Sequence, residues 1–440
     1  MSRYYLSKFT VFLPPHNSYN YFQNTLYMNE KINKIKPRNF LLQGFFSALD
    51  SVRGDRLVAA RMVNFSARPI RLLAIGKAAE AMARGAFEAA GERISDALVI
   101  GKQGRAVGLQ EPRILYLPAG HPLPDRHSLE AGRLLVERLT VGRESDQWLV
   151  LLSGGASALV EVLPGGYDLD DLCRLNRWLL ASGRDIVEMN AIRQRVSCIK
   201  GGRILRCLQG QAEVWLLSDV PDDDPAVMGS GLFYGPIARP PDRRLPTWLA
   251  RWIAAAEQPL EASYSAPPAH RKLAGLDDLL TALAGCLGES GETVQVVPEP
   301  LCGEAAAVGE RLGRSLVESA PGIHIWGGET TVTLPASPGK GGRNQQLALA
   351  AAQVLDGYND CFLLAAGSDG DDGPTDAAGA LVDGQTVARA RRQGYDAAQA
   401  LHNADAYPCL AAAGDLVVSG PTGTNLRDIV IGYKRNTSRQ

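Results

Sequence analysis

From about residue 39 onward, apolar runs of four to seven residues alternate with helix-length segments rich in Ala, Leu, Glu and Arg. A strand buried on both faces is written as a continuous apolar run, and a parallel neighbour requires a crossover long enough to hold a helix. This rhythm therefore confines the chain to an α/β architecture with largely parallel strands. The runs Arg71–Ile75, Ala97–Ile100, Ile114–Leu117, Trp148–Leu152 and Val214–Leu217 predict strands, and Ala78–Ala90, His127–Leu139 and Leu169–Ala181 predict amphipathic helices between them. The proline-rich segment Ala238–Pro268 lacks a strand rhythm and reads as a linker or peripheral cover. Alternation then resumes, with helices expected at Leu276–Cys286 and Glu304–Glu318, and strands at Val294–Val297, Ile323–Trp326, Thr330–Leu334, Phe362–Ala365 and Leu416–Val418. The expected organisation is an N-terminal extension over residues 1–38, poorly ordered and crowded with aromatics at its start, a larger α/β domain over 39–290, and a smaller α/β domain over 291–435.

Composition excludes several classes of function. With 46 Lys and Arg against 47 Asp and Glu, the net charge of −1 provides no overall field to draw phosphate polymers or anionic bilayers, so neither nucleic acid nor membrane is an expected partner. No apolar stretch is long enough to span a bilayer, and the N-terminus lacks the basic-then-apolar order of a secretory signal; a cytoplasmic location is the default expectation. The seven cysteines are scattered without a C-x-x-C pair and read as reduced thiols. Neither G-x-S-x-G, H-E-x-x-H nor the P-loop pattern G-x-x-x-x-G-K-[ST] occurs, which lowers serine-hydrolase, zinc-protease and P-loop readings together.

The informative feature is where small and polar residues fall relative to the strands. Gly76-Lys77 follows the first, Pro118-Ala119-Gly120-His121 the third and Ser153-Gly154-Gly155-Ala156-Ser157 the fourth. Ser218-Asp219-Val220-Pro221-Asp222-Asp223-Asp224 and Gly367-Ser368-Asp369-Gly370-Asp371-Asp372-Gly373 follow two others. In open α/β sheets ligands bind outside the carboxyl ends of strands, and two such rims predict one cleft between domains. Ser153–Ser157 can cradle a phosphate on backbone N–H groups or serve only as a tight strand-to-helix turn. Lys77, placed where a helix N-terminus is already positive, calls for an anionic partner. Arg343, opening a helix after Gly341-Gly342, does the same. Arg193, Arg195, Lys200 and Arg203 can line an anion site or form a solvated face. The aspartates around 219–224 and 369–376 are hard oxygen donors of the kind Mg²⁺ accepts beside substrate phosphates, or turn-capping residues.

Taken in order, these segments resemble the glycerate 2-kinase family, whose C-terminal part is the MOFRL domain. The likeness extends over about residues 39–435 and adds Ile199-Lys200-Gly201-Gly202-Arg203, Gly327-Gly328-Glu329-Thr330-Thr331, Gly341-Gly342-Arg343-Asn344-Gln345 and Gly420-Pro421-Thr422-Gly423-Thr424-Asn425 to the motifs above. The chain departs from the family pattern at Ala156, at Leu232-Phe233 and at Gln346. The resemblance implies a Rossmann-like, mostly parallel N-terminal domain, a smaller α/β MOFRL domain, and a cleft between them. There D-glycerate would be phosphorylated to 2-phosphoglycerate with ATP and Mg²⁺.

It also implies catalytic roles for Lys77 and Arg343, with Asp219 near the transferring group, as metal contact or as the group that orients the 2-hydroxyl; the residues' own chemistry adds Ser153, Gly154, Gly155, Ala156, Ser157, Lys200 and Asp369 as expected nucleotide contacts and Asp219 with Asp223 as expected metal contacts. The expected partners are the small acid and ATP, and a homo-oligomer is left open. A hydroxypyruvate reductase is the alternative reading, weakened because Gly229-Ser230-Gly231 is not followed by the dinucleotide spacing. A non-catalytic sugar-acid binder on the same fold is the third.

Overall fold

The computed structural model describes residues 36–63, 65, 68–104, 111–182, 184, 186–236, 245–256 and 266–436. Most of the expected N-terminal extension, residues 1–35, lies outside the described residues. The first sheet contains β1 (Ile70–Ile75), β2 (Ile94–Lys102), β3 (Ile114–Ala119), β4 (Gln147–Ser153), β5 (Gln211–Leu217) and β6 (Ala269–Ala274). They lie in the order β3-β2-β1-β4-β5-β6, with every pairing parallel. This is the doubly wound order, in which the direction of winding reverses between β1 and β4. Alternate residues of each strand serve opposite faces. Leu72, Ala74, Val99, Leu149, Leu151 and Trp215 pack on one side, and Leu73, Ile75, Ile100, Val150, Leu152 and Val214 on the other.

The second sheet contains β7 (Val294–Val296), β8 (Gly322–Gly328), β9 (Cys361–Gly367), β10 (Gly379–Asp383), β11 (Leu416–Val417) and β12 (Asp428–Lys434), in the order β11-β10-β9-β12-β8-β7. The expectation of largely parallel strands fails here, since only β7 and β8 pair parallel. The reason is topological: β12, the last strand, inserts between β8 and β9 and runs against both.

Three further segments correct or refine the expectation. Thr330–Leu334 is not a strand, because the chain leaves the sheet after Gly328 and Thr331 makes only an isolated bridge with Glu304. Of the two readings of Ala238–Pro268, linker and peripheral cover, the described part fits the cover: it carries a helix, Thr247–Ala256, whose buried Trp252 stacks on Tyr167 with ring centroids 4.7 Å apart. This helix shares a small core with helices Leu169–Ala181 and Ile186–Val196. Finally, the edge strand β6 has a single buried residue and no apolar run, so sequence pattern does not reveal it.

One core joins the two sheets. Helices Pro37–Ser51 and Leu276–Gly288 contribute Leu41, Phe45, Leu279 and Leu283 to a cluster that reaches Leu72 and Leu149 of the first sheet and Ile325, Leu364 and Ile429 of the second. The far face of the second sheet is covered by helices Ala305–Glu318 and Arg343–Val354. These two helices cross closely at Gly309, where a β-carbon would stand 2.1 Å from the Leu347 carbonyl oxygen. That close crossing sets where Arg343, the first residue of its helix, can stand. No helix among the described residues is long and apolar enough to cross a membrane.

Candidate active site at the facing strand ends

The site begins at the reversal point between β1 and β4. The Lys77 N–H donates to the Gly154 carbonyl at 2.9 Å, and the Ala78 N–H donates to the Ser153 hydroxyl at 3.0 Å, so the turns leaving the two strands are tied together. Lys77 then reaches across the cleft, its Nζ 2.8 Å from Asp369 Oδ2 at the end of β9. This is the anionic partner its position demands, supplied by the other sheet. Burial alone would pull the Lys77 ammonium down, but Asp369 and Asp219 more than offset this and raise its pKa, while Arg343 opposes them.

Asp219, just past β5, stands against the glycine turn. A β-carbon on Gly154 would lie 1.6 Å from Asp219 Oδ2 and 2.1 Å from Asn425 Nδ2, so only glycine lets the turn pass. Asn425 donates to the same Asp219 oxygen at 3.0 Å, a second contact between the two halves of the chain. Burial pushes the Asp219 carboxyl up to about 6, with Glu329 adding to the rise and Lys77 and Asn425 restraining it. The space above Gly155 is bounded by Lys77 Cγ and His121 Cδ2, each 3.1 Å from where a β-carbon would stand.

Arg343 forms the other end of the cleft. It pairs with Glu329 and, at 3.0 Å, with Asp428. Burial opposes its charge, but Asp428, Glu329 and Asp372 together hold its pKa above the ordinary arginine value. Asp372 caps this helix by accepting from the Asn344 N–H at 3.0 Å and the Gln345 N–H at 2.8 Å. Burial raises the Asp372 carboxyl to about 7 and the Asp428 carboxyl to about 6. Around the cleft, Asp219, Asp369, Asp372, Asp428 and Glu329 outnumber Lys77 and Arg343. That surplus of negative charge suits a bound cation, although no three His, Cys, Asp or Glu among the described residues converge to cage a metal by themselves.

The structure thus brings Lys77, Gly154, Gly155, Asp219, Asp369 and Arg343 into one charged neighbourhood. Other expected site residues are placed elsewhere. Lys200 is 2% exposed, with its ammonium 2.6 Å from Glu161 and 2.8 Å from the Ser157 carbonyl oxygen. It supports the glycine turn from behind. Ser157 shares its hydroxyl with Ser230 at 2.8 Å, Ser153 accepts the Ala78 N–H, and Ala156 is fully buried. Whatever these residues offer a ligand is therefore backbone. Arg203 is also buried and donates to main-chain carbonyls, including that of Ser197 at 2.5 Å, so the 193–203 cations are not a solvated face. Asp223 turns outward and pairs with Lys272 on β6 at 2.8 Å. Sequence reasoning did not single out His121, Glu329, Asp428 or Asn425 as site residues, although three of the four lie in motifs quoted for the resemblance.

Fold and site together define a class: a doubly wound α/β protein whose rim at the winding reversal meets the strand ends of a second, mixed sheet. Residues 26–242 match the family described as a domain of unknown function, DUF4147, and residues 322–428 match the MOFRL family. The chain is 34% identical to the D-glycerate 2-kinase of Thermotoga maritima over 400 residues, covering 88% of this chain and 95% of that one. It is also 34% identical to a putative hydroxypyruvate reductase of Agrobacterium vitis, covering 81% and 97% respectively. The crystal structure of the Thermotoga maritima glycerate kinase superposes with a TM-score of 0.75 at 32% identity, covering 90% of this chain and 99% of that one. The chain belongs to the glycerate 2-kinase family, with the MOFRL domain as its C-terminal part.

Proposed function

We propose that this protein is a glycerate 2-kinase, transferring the γ-phosphoryl group of ATP to the 2-hydroxyl of D-glycerate in the cleft between the two sheets. The observation that carries this reading is the meeting of Lys77 with Asp369 and of Asp219 with Asn425, one residue of each pair from each half of the chain. Phosphoryl transfer needs little covalent chemistry from a protein and much positioning and charge neutralisation, which such facing rims provide. Bound ATP supplies the phosphoryl group, and Mg²⁺ neutralises the phosphate oxygens.

Lys77 and Arg343 hold the phosphate tail, exchanging their carboxylate partners for phosphate oxygens. Asp219 stays ionised above pH ~6, fixed by Asn425, and orients the 2-hydroxyl and accepts its proton. The acid surplus around the cleft fits a divalent cation that takes one or two carboxylates and completes its shell from phosphate and water. Asp219 would supply one such contact, and Asp223, paired with Lys272, would not. Residues 39–290 and 291–435 act as the two working halves. The setting is cytoplasmic, where ATP is abundant and the free cysteines stay reduced.

The test is incubation with ATP, Mg²⁺ and D-glycerate, with detection of 2-phosphoglycerate, run beside hydroxypyruvate with NADH. Phosphorylation is expected. Oxidation of NADH without phosphorylation would replace this reading by the reductase named among the relatives.

A further inference from the structure

Beside the Lys77–Asp369 contact, with Lys77 in its lining, lies a cavity of ≈ 180 Å³. Its walls come from the ends of β1, β2 and β3 and from the helix Ala79–Ala90, and the segment 421–423 of the second half closes it. Lys77, Arg84, Lys102 and Tyr116 line it, with Glu80 as the acid in the wall. Lys102 is joined to Asp371 at 2.5 Å and so has the same kind of cross-cleft partner as Lys77. Arg84 and Tyr116 differ. Arg84 has only a loose ion pair, 3.6 Å from Asp55, and no hydrogen bond among the described residues. A guanidinium carries five N–H donors in a planar fork, so nearly all of its donor capacity is unused. The Tyr116 hydroxyl, which lies over Gly101, also makes no hydrogen bond among the described residues. Burial and then the charge of Glu80 push this phenol up to about 12, so it keeps its proton and can donate.

Arg84 and Tyr116 line one cavity with donors to spare, and Lys77 and Lys102 beside them outnumber the single carboxylate in its wall, Glu80, so the cavity suits an anion brought in from outside. Size decides which kind. A volume of ≈ 180 Å³ is enough for a three-carbon acid, and a nucleoside triphosphate would leave most of its length outside the open mouth. We propose that this cavity is the acid subsite, in which Arg84 and Tyr116 grip the carboxylate of a small hydroxy acid and leave its hydroxyl end toward Lys77. A guanidinium fork matches a carboxylate in bidentate fashion, and Glu80 in the wall accepts a second hydroxyl of the acid. This inference rests on the glycerate 2-kinase reading and adds the place and the residues that select the acid.

The experiment combines kinetics of the full chain with calorimetric titration of D-glycerate in the absence of nucleotide, for the wild type and for Arg84→Met, Arg84→Lys and Tyr116→Phe. Arg84→Met is expected to raise the KM and Kd for D-glycerate by about tenfold or more and Tyr116→Phe by about threefold, with KM for ATP moving less than about twofold and Arg84→Lys recovering part of the loss. A rise in KM for ATP with the acid unaffected overturns the assignment and gives the cavity to the nucleotide's phosphates. Wild-type turnover with unaltered acid binding in both Arg84→Met and Tyr116→Phe also overturns it, while the kinase reading survives. If the wild type binds D-glycerate and the variants do not, yet no phosphoryl transfer occurs, the cavity stands and the kinase reading fails.

Discussion

Lys77 and Lys200 look alike in the sequence, each beside glycine and each in a segment shared with the family, yet the fold assigns them opposite tasks. Lys77 reaches from the first sheet to Asp369 at the end of a strand of the second, among more carboxylates than cations, and its pKa is raised despite burial. Lys200 sits in the interior opposite Glu161, which is itself 1% exposed and also accepts from Ser197. Burial there outweighs the pairing, and its pKa falls. The difference is one of unspent interaction. In the cleft, partners come from separate halves of the chain and can be exchanged for a ligand's oxygens. In the interior, every partner is needed to keep a buried charge tolerable.

Substitution separates the two lysines by what each variant loses. The largest expected effect belongs to the cleft. Lys77→Ala and Arg343→Ala should each lower kcat several hundredfold, about 4 kcal/mol of transition-state stabilisation, with the accompanying loss of stability, as Asp369 or Asp428 loses its cation, the smaller effect. If both variants retain activity within about tenfold, neither residue has the role assigned to it. Lys200→Met should invert this pattern. Leaving Glu161 buried without its cation costs about 3 kcal/mol of stability, seen as a lower denaturation midpoint, and adding Glu161→Gln should recover part of it. A Lys200→Met protein as stable as wild type but unable to bind ATP would instead return Lys200 to the ligand.

A smaller, signed effect concerns Asp219. With its carboxyl at about 6, kcat/KM should fall as pH drops through that value, because the proton acceptor becomes protonated. Asn425 restrains the rise, so Asn425→Ala should move the acidic limb to higher pH, by roughly half a unit or more. A limb that stays in place, or moves to lower pH, would detach it from Asp219 and point to Asp428 or Asp372. The smallest effect is expected at Asp223, whose partly exposed pair with Lys272 is worth ~0.5 kcal/mol or less; Asp223→Ala should leave the Mg²⁺ dependence of turnover unchanged.

The legibility of the molecule follows the same division. Buried parallel strands announce themselves as apolar runs, and β1, β2, β4 and β5 lie where the pattern expects them. The edge strand β6 and the helix Thr247–Ala256 are hidden because exposed edges and proline-flanked helices lack that signature. Clusters at strand ends pointed to Lys77, Gly154, Asp219 and Asp369, since the carboxyl end of a strand in such a sheet faces the crevice whatever the remaining topology. Burial of Lys200 and Arg203 was not legible. Local spacing does not tell which side of a turn faces the ligand.

By itself, then, the order of residues determined the kinds of element, the clusters at their ends and the family, because periodicity and motif are local properties of a chain. The tertiary structure alone decided that β12 would enter the second sheet between β8 and β9, that Asp369 would be the partner of Lys77, and that Arg84 and Tyr116 would converge on one cavity. Those outcomes depend on contacts between residues far apart in the chain, and whether a charge is exchangeable or locked is set by its surroundings after packing.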